Sequence, residues 1–248
     1  MVLSTEKQEG GRNMKRVLVT GVTGWLGKRV IQDLITADYK VVAVSRNAER
    51  LQSLQSLGDI DGFRPIPCDL SDVAQTSRLA ELVSDINVLV HLAGRPPIDP
   101  NDHSACTRQV VMSLNLIENI GPKIDQAVLG SCVSVYGVEA GVRVATNHPT
   151  YPKTYHGTSQ LACEQFWKLF SISSGKPVAC LRFDDFGRTG ASFGSDTYLA
   201  AETGDSSRTG QFEEEVFLAE ASRRVLKTVN GGGNDIENIY FGAPKSVP

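Results

Sequence analysis

Three glycines, Gly21, Gly24 and Gly27, sit between a β-branched run and a helical pattern in Thr20-Gly-Val-Thr-Gly-Trp-Leu-Gly27. The spacing suits phosphate chemistry. Gly21 permits a tight turn, Gly24 lets a pyrophosphate approach the backbone, and Gly27 lets the helix pack close to the strand. The amides of Thr23, Trp25 and Leu26 at the helix start then face the anion. The triplet alone fits an ordinary strand-turn-helix equally well, but this one opens the first βα unit, where a dinucleotide fold keeps its phosphates. Asp69 and Leu70 follow the third strand, where a carboxylate can accept from an adenine amino group; Asp69 can equally cap a helix beginning at Ser71. Leu92, Ala93 and Gly94 end the fourth strand with small residues that leave room for ribose and nicotinamide, or form a plain strand-to-loop turn. Arg46 ends the second strand, where an NAD site keeps an acid for the ribose 2′-OH. A guanidinium suits a 2′-phosphate, so NADP is expected over NAD, unless Arg46 is only a solvated loop residue.

The elements that would position these residues alternate. Buried-strand runs read at Arg16–Thr20, Lys40–Val44, Val88–His91, Ala127–Leu129 and Pro177–Phe183. Helical spacing follows them at Val30, Leu34 and Ile35, at Leu79, Leu82 and Val83, and over Ala105–Asn119, Gln160–Ile172 and Phe212–Val229. Strands alternating with helices of this length predict an α/β fold, a Rossmann-type doubly wound parallel sheet with helices on both faces. Residues 1–13 are polar and read as a flexible arm, and 14–248 as one dinucleotide-binding domain. Residues 187–211, rich in Gly, Ser and Thr, read as a substrate-side lid that closes when substrate binds. Residues 212–248 read as a closing helix and strand of the same domain, with the strand at Asn238–Phe241, and the sheet is expected to carry a small C-terminal substrate-binding appendage.

Composition excludes several classes. The chain has 248 residues, enough for one α/β domain and a sizeable core. A net charge of -3 offers no broad basic surface, so nucleic-acid binding is not expected. No apolar run approaches the ~20 residues that span a bilayer, and residues 1–13 lack the apolar core of a signal peptide. The five cysteines are odd in number and without CxxC spacing, which suits a reducing, cytoplasmic compartment rather than a disulfide framework. The four histidines form no HxxxH or HExxH pair, so no metal site is expected.

Taken together these residues resemble the short-chain dehydrogenase/reductase superfamily, in its extended or atypical branch, the NAD-dependent epimerases/dehydratases. The resemblance runs from Lys15 to about Phe183. It rests on the glycine turn, Asp69-Leu70, His91-Leu-Ala-Gly94, Ser131-Cys-Val-Ser-Val-Tyr-Gly137, His156-Gly-Thr-Ser-Gln-Leu-Ala-Cys-Glu164 and Leu181-Arg-Phe183. It implies a catalytic Ser or Thr, Tyr and Lys. Counting back from Val135-Tyr136-Gly137 puts the Ser or Thr at Cys132, with Ser134 the nearest hydroxyl if the register shifts. Leu161-Ala-Cys-Glu164 puts the Tyr at His156 and the Lys at Gln160; a register on Tyr155 puts Ser159 at the Lys position. Neither supplies the Lys, and Gln cannot depress a neighbouring pKa. An imidazole, titrating near ~6.5, transfers protons unaided, so His156 can replace both Tyr and Lys. Cys132 binds an oxygen weakly, acts as an activated nucleophile, or is a small buried hydrophobe. His156 in turn can be no more than a helix-start residue, and Tyr136 a packing residue.

Two functions follow. The first is an enzyme acting on a small organic metabolite with His156 as acid/base, by hydride transfer, epimerisation, dehydration, or non-redox proton transfer or cyclisation. The second is a sensor or scaffold that binds NAD(P) without chemistry. The resemblance also implies a homodimer through the helices at Ala105–Asn119 and Gln160–Ile172. No cluster of arginines marks a sugar-nucleotide diphosphate, and Arg182 alone is too little.

Overall fold

In the computed structural model seven parallel strands among the described residues form one sheet, in the order β3-β2-β1-β4-β5-β6-β7. The structure describes residues 15–52, 54, 62–83, 85–94, 102–138, 142–183, 208–231, 233 and 236–239; of 208–217 it describes the backbone only. The strands are β1 (Arg16–Thr20), β2 (Lys40–Ser45), β3 (Phe63–Pro67), β4 (Val88–His91), β5 (Gln126–Cys132), β6 (Val178–Phe183) and β7 (Ile236–Ile239). The helices are α1 (Trp25–Thr36), α2 (Ala48–Gln52), α3 (Val73–Leu82), α4 (His103–Asn119), α5 (Tyr155–Ser174) and α6 (Arg208–Gly231).

The continuous apolar runs arise because both faces of the sheet are covered. Val17 and Val19 of β1 face one core with Val30, Ile31 and Leu34 of α1 and Val225 of α6. Leu18, one residue out of phase, faces the other core with Leu79 of α3, Leu116 of α4 and Trp167 of α5. This two-sided burial is the doubly wound architecture expected from the sequence, with β1 and β4 adjacent at the switch point where the strand order reverses.

Element ends differ where tertiary contacts outweigh local pattern. α5 begins at Tyr155, five residues before the expected Gln160, because the Thr154 hydroxyl caps it by accepting from Gly157 N–H at 3.0 Å. α6 begins at Arg208, so the last residues of the expected lid, 208–211, are helical; residues 187–207 lie outside the described residues, as do 1–13. β7 is Ile236–Ile239, two residues earlier than expected, and pairs with β6. α6 and β7 return to the main sheet; the appendage expected after β6 falls on residues outside those described. Among the described residues no helix is long and apolar enough to cross a membrane.

β3, Phe-Arg-Pro-Ile-Pro, is one edge of the sheet. Its continuation, Cys68 N–H, turns inward to Ser45 O at 3.0 Å. At the switch point, His91 Nδ1 and Thr20 Oγ1 share a hydrogen bond of 2.8 Å. Burial pushes the His91 pKa down to about 4. The folded protein therefore resists a proton that the unfolded chain binds near 6.5, and His91's contribution to stability is present above pH 6.5 and lost as pH falls. A decline of about 2 kcal/mol between pH 7 and 5 is expected in urea unfolding, at about 1.4 kcal/mol per pH unit. His91→Gln should flatten most of it; an unchanged slope would refute the assignment.

Candidate active site

The glycine turn lies at the C-terminal end of β1, beside β4. Gly21 has φ 74°, and a Cβ there would come within 2.6 Å of Leu92 backbone atoms. A Cβ on Gly27 would run into Gly21 O, so the close packing expected of Gly27 is of helix onto turn. Gly24 is the N-cap of α1, and no side chain caps it among the described residues. The helix start therefore offers backbone amides and positive dipole, with little bulk in front. Trp25 and Leu26 are half-buried against the core on the α1 side. Thr23 Oγ1 lies 3.3 Å from Ser45 Oγ, which ties the turn to the end of β2. Arg46, next in sequence, is exposed.

Asp69 accepts from Ser71 N–H (2.9 Å) and hydroxyl (2.6 Å). The Ser71 hydroxyl holds its carboxyl below the ordinary range, helped by the nearby charges of Arg46 and Arg108. The cap of α3 is Asp72, not Asp69. Leu70 is buried, and its carbonyl accepts from Asn115 Nδ2 at 2.9 Å. Ala93 N–H donates to Thr20 Oγ1 at 3.2 Å, fixing the Leu92–Gly94 segment at the crevice.

The catalytic candidates converge 24 residues apart in sequence. Cys132 ends β5, and the chain turns through a 3₁₀ segment, Val133–Tyr136, closed by Gly137 at φ 66°. The first turn of α5 rests directly on that segment, since a Cβ on Gly157 would lie 2.7 Å from Ser134 O. His156 Nε2 thereby stands 3.5 Å from Cys132 Sγ, and Sγ stands 2.5 Å from Ser134 Oγ. Cys132 and His156 are buried and Ser134 is half-buried. Burial holds the His156 pKa below its ordinary value, which favours the neutral imidazole. Its Nδ1 is buried without a hydrogen-bond partner among the described residues.

Tyr155 points elsewhere: it is 54% exposed and stacks on His103 at 4.2 Å. The structure thus brings His156, Cys132 and Ser134 together and leaves Tyr155 apart. Gln160, one turn along α5, is buried and lines a polar cavity of about 10 Å³, room for one water, with Gln109, Ser113, Ser131 and Glu164. Ser159 Oγ donates to His156 O at 2.8 Å.

Beneath the turn lies a network that the sequence reading did not find. Arg182 of β6 forms a two-pronged bond with Glu164 of α5, at 2.9 and 2.6 Å. It also donates to Tyr136 Oη at 2.7 Å, and Ser131 Oγ donates to Glu164 Oε1 at 2.5 Å. Burial opposes the charge on Arg182, but Glu164 more than restores it and the net shift is upward. A charge in the middle of an apolar strand was the available signal, because such a residue needs an internal partner. All five cysteines are buried thiols.

Residues 17–190 match the NAD dependent epimerase/dehydratase family. A UDP-glucose 4-epimerase of Azospirillum brasilense is 26% identical over 199 residues, 74% of this chain and 54% of the relative. A putative UDP-glucose 4-epimerase of Methanocaldococcus jannaschii is 25% identical over 258 residues, 93% of this chain and 78% of the relative. The crystal structure of a UDP-glucuronic acid 4-epimerase from Bacillus cereus in complex with NAD superposes with a TM-score of 0.58 at 26% identity, over 68% of this chain and 56% of that one. The chain thus spans about half the length of two of these three proteins.

Proposed function

This chain belongs to the NAD dependent epimerase/dehydratase family, and from that premise we propose that it is an NAD(P)-binding enzyme in which His156, rather than a tyrosine, moves the proton on a small organic metabolite. The start of α1, which no side chain caps among the described residues, and the crowding at Gly21 and Gly27 fit a dinucleotide. Gly21, Thr23, Gly24, Trp25, Leu26 and Gly27 would hold its pyrophosphate, Asp69 and Leu70 its adenine side, and Leu92, Ala93 and Gly94 its ribose and nicotinamide. When bound, the nicotinamide would give or accept a hydride. The chain's own part is to orient the metabolite's oxygen at Ser134 and Cys132 and to take or return its proton at His156 Nε2. Gln160 supplies no charge, and a neutral imidazole needs none.

The observation that carries this reading is the buried imidazole with Nε2 3.5 Å from the thiol at the family's Ser/Thr position, its pKa held below the ordinary value by burial. The reactions within it are hydride transfer, epimerisation, dehydration and non-redox proton transfer or cyclisation. The substrates named for the epimerase relatives, UDP-sugars, are one class to assay. Arg182, held by Glu164, does not serve their diphosphate. The loss of the Lys at Gln160 favours the second reading, a sensor that binds NAD(P) without turnover. The deciding experiment incubates the protein with NADP or NAD and a panel of hydroxylated and carbonyl metabolites, and follows product and absorbance at 340 nm. Turnover that depends on His156 supports the enzyme; cofactor binding with no turnover on any of them supports the sensor.

Within the same proposal the preferred cofactor is NADP. Arg46 stands beyond the Thr23–Ser45 contact at the end of β2, where a 2′-phosphate would lie. NADP(H) should bind more tightly than NAD(H) in calorimetry, and Arg46→Ala should narrow the gap by about 1–3 kcal/mol. Equal affinities for the two would rule it out. A homodimer through α4 and α5 is also part of the reading, supported by Leu114 on α4 and Leu169 and Ile172 on α5, all exposed. Five buried free thiols support the reading that the protein works in a reducing, cytoplasmic compartment.

A further inference from the structure

We infer that Cys132 is a covalent nucleophile whose thiol is deprotonated by His156, and that the ligand class it takes is a carbonyl-conjugated alkene. The inference rests on His156 as the proton-handling group and adds a bond-forming role to its neighbour.

Three observations support it. Sγ and Nε2 are 3.5 Å apart, the reach of a thiol-to-imidazole hydrogen bond. For Nε2 to accept that proton, Nδ1 must carry the other one. Nδ1 is buried without an acceptor among the described residues, so a ligand carbonyl or a water is the partner this tautomer lacks. Finally, His156 is the second residue of a 20-residue helix, so the positive end of α5 lies beside the sulfur and favours the thiolate. Ser134 beside it is half-buried and has its hydroxyl 2.5 Å from Sγ. For three of the other four thiols, burial opposes the thiolate. Burial pushes Cys68 up to about 11 and raises Cys163 and Cys180, and the sulfur of Cys163 lies 3.7 Å from a carbonyl oxygen.

The step is an addition and balances without an oxidant or reductant. The S–H bond breaks and its proton passes to Nε2. A sulfur lone pair forms the C–S bond at the β-carbon, and the alkene π pair moves onto the α-carbon and carbonyl oxygen as an enolate. The imidazolium then returns the proton to the α-carbon.

N-ethylmaleimide, itself a carbonyl-conjugated alkene, is the probe. The full chain is labelled at pH 7 for short times, and adduct formation at each of the five cysteines is followed by peptide mass spectrometry. Cys132 should label about tenfold or more faster than each of the other four, and His156→Gln should slow Cys132 about tenfold while leaving the others unchanged. A wild-type protein in which Cys132 labels no faster than the other four overturns the inference without recourse to a variant. So does an unchanged Cys132 rate in His156→Gln. Failure here separates from failure of the proposed function. An inert Cys132 in a protein whose turnover needs His156 removes only the nucleophile. A fast Cys132 in a protein whose turnover survives His156→Ala removes only the proton-transfer reading.

Discussion

His156→Ala is expected to lower turnover by about 10²–10⁴-fold, the range for loss of an acid/base group, and to leave cofactor affinity unchanged. The split follows from position. His156 contacts Cys132 at the end of β5, whereas the glycine turn that would hold the pyrophosphate sits between β1 and α1. His156→Tyr should not rescue activity. A phenol near its ordinary pKa of ~10 needs a cationic neighbour to act as a base at neutral pH, and Gln160 carries no charge. Calorimetry with cofactor and initial rates on the same preparations check both halves. Full activity in His156→Ala would end the acid/base assignment and favour the sensor.

The second large effect is on stability. Glu164→Gln should destabilise the protein by about 3–5 kcal/mol, because it leaves the Arg182 guanidinium buried without its counter-charge. Arg182→Met should cost a similar amount by stranding the carboxylate. The double variant Glu164→Gln, Arg182→Met should cost much less than the sum, since removing both charges also removes the desolvation penalty. Urea unfolding of the four proteins forms the cycle. Additive losses would show that the pair is not coupled. Tyr136 Oη and Ser131 Oγ both lean on this ion pair, so the single variants should also loosen the turn that presents Cys132.

The strands were legible because burial on both faces writes itself as continuous Val, Leu and Ala: β1 matches the expected ends residue for residue, and β4 ends at His91 as expected. The convergence of His156 and Cys132 was legible only through the family resemblance, which set Cys132 from Val135-Tyr136-Gly137 and His156 from Leu161-Ala-Cys-Glu164, since no local pattern joins residues on different elements. The start of α5 was not legible. Gly157 lowers helical propensity, and the need for it is tertiary: only a residue without Cβ lets the helix rest on Ser134 O. The role of Glu164 was hidden for a similar reason, because its partner lies 18 residues away on a strand. For Asp69, two readings were open. The Asp72 cap on α3 removes one of them and leaves its carboxylate turned to Ser71.

The edge strand β3 has a bearing on how the molecule behaves at high concentration. An exposed strand edge is a template on which a second chain can pair, and hydrogen-bond direction alternates along a strand. Since Cys68 N–H points inward to Ser45, Pro65 and Pro67 occupy positions whose N–H would face outward. Proline has no N–H to offer, so most of the outward donors on this edge are missing while the inward pairing to β2 is intact. The two prolines thus leave a second chain few donors to pair with on this edge, a colloidal consequence separate from any chemistry at the site.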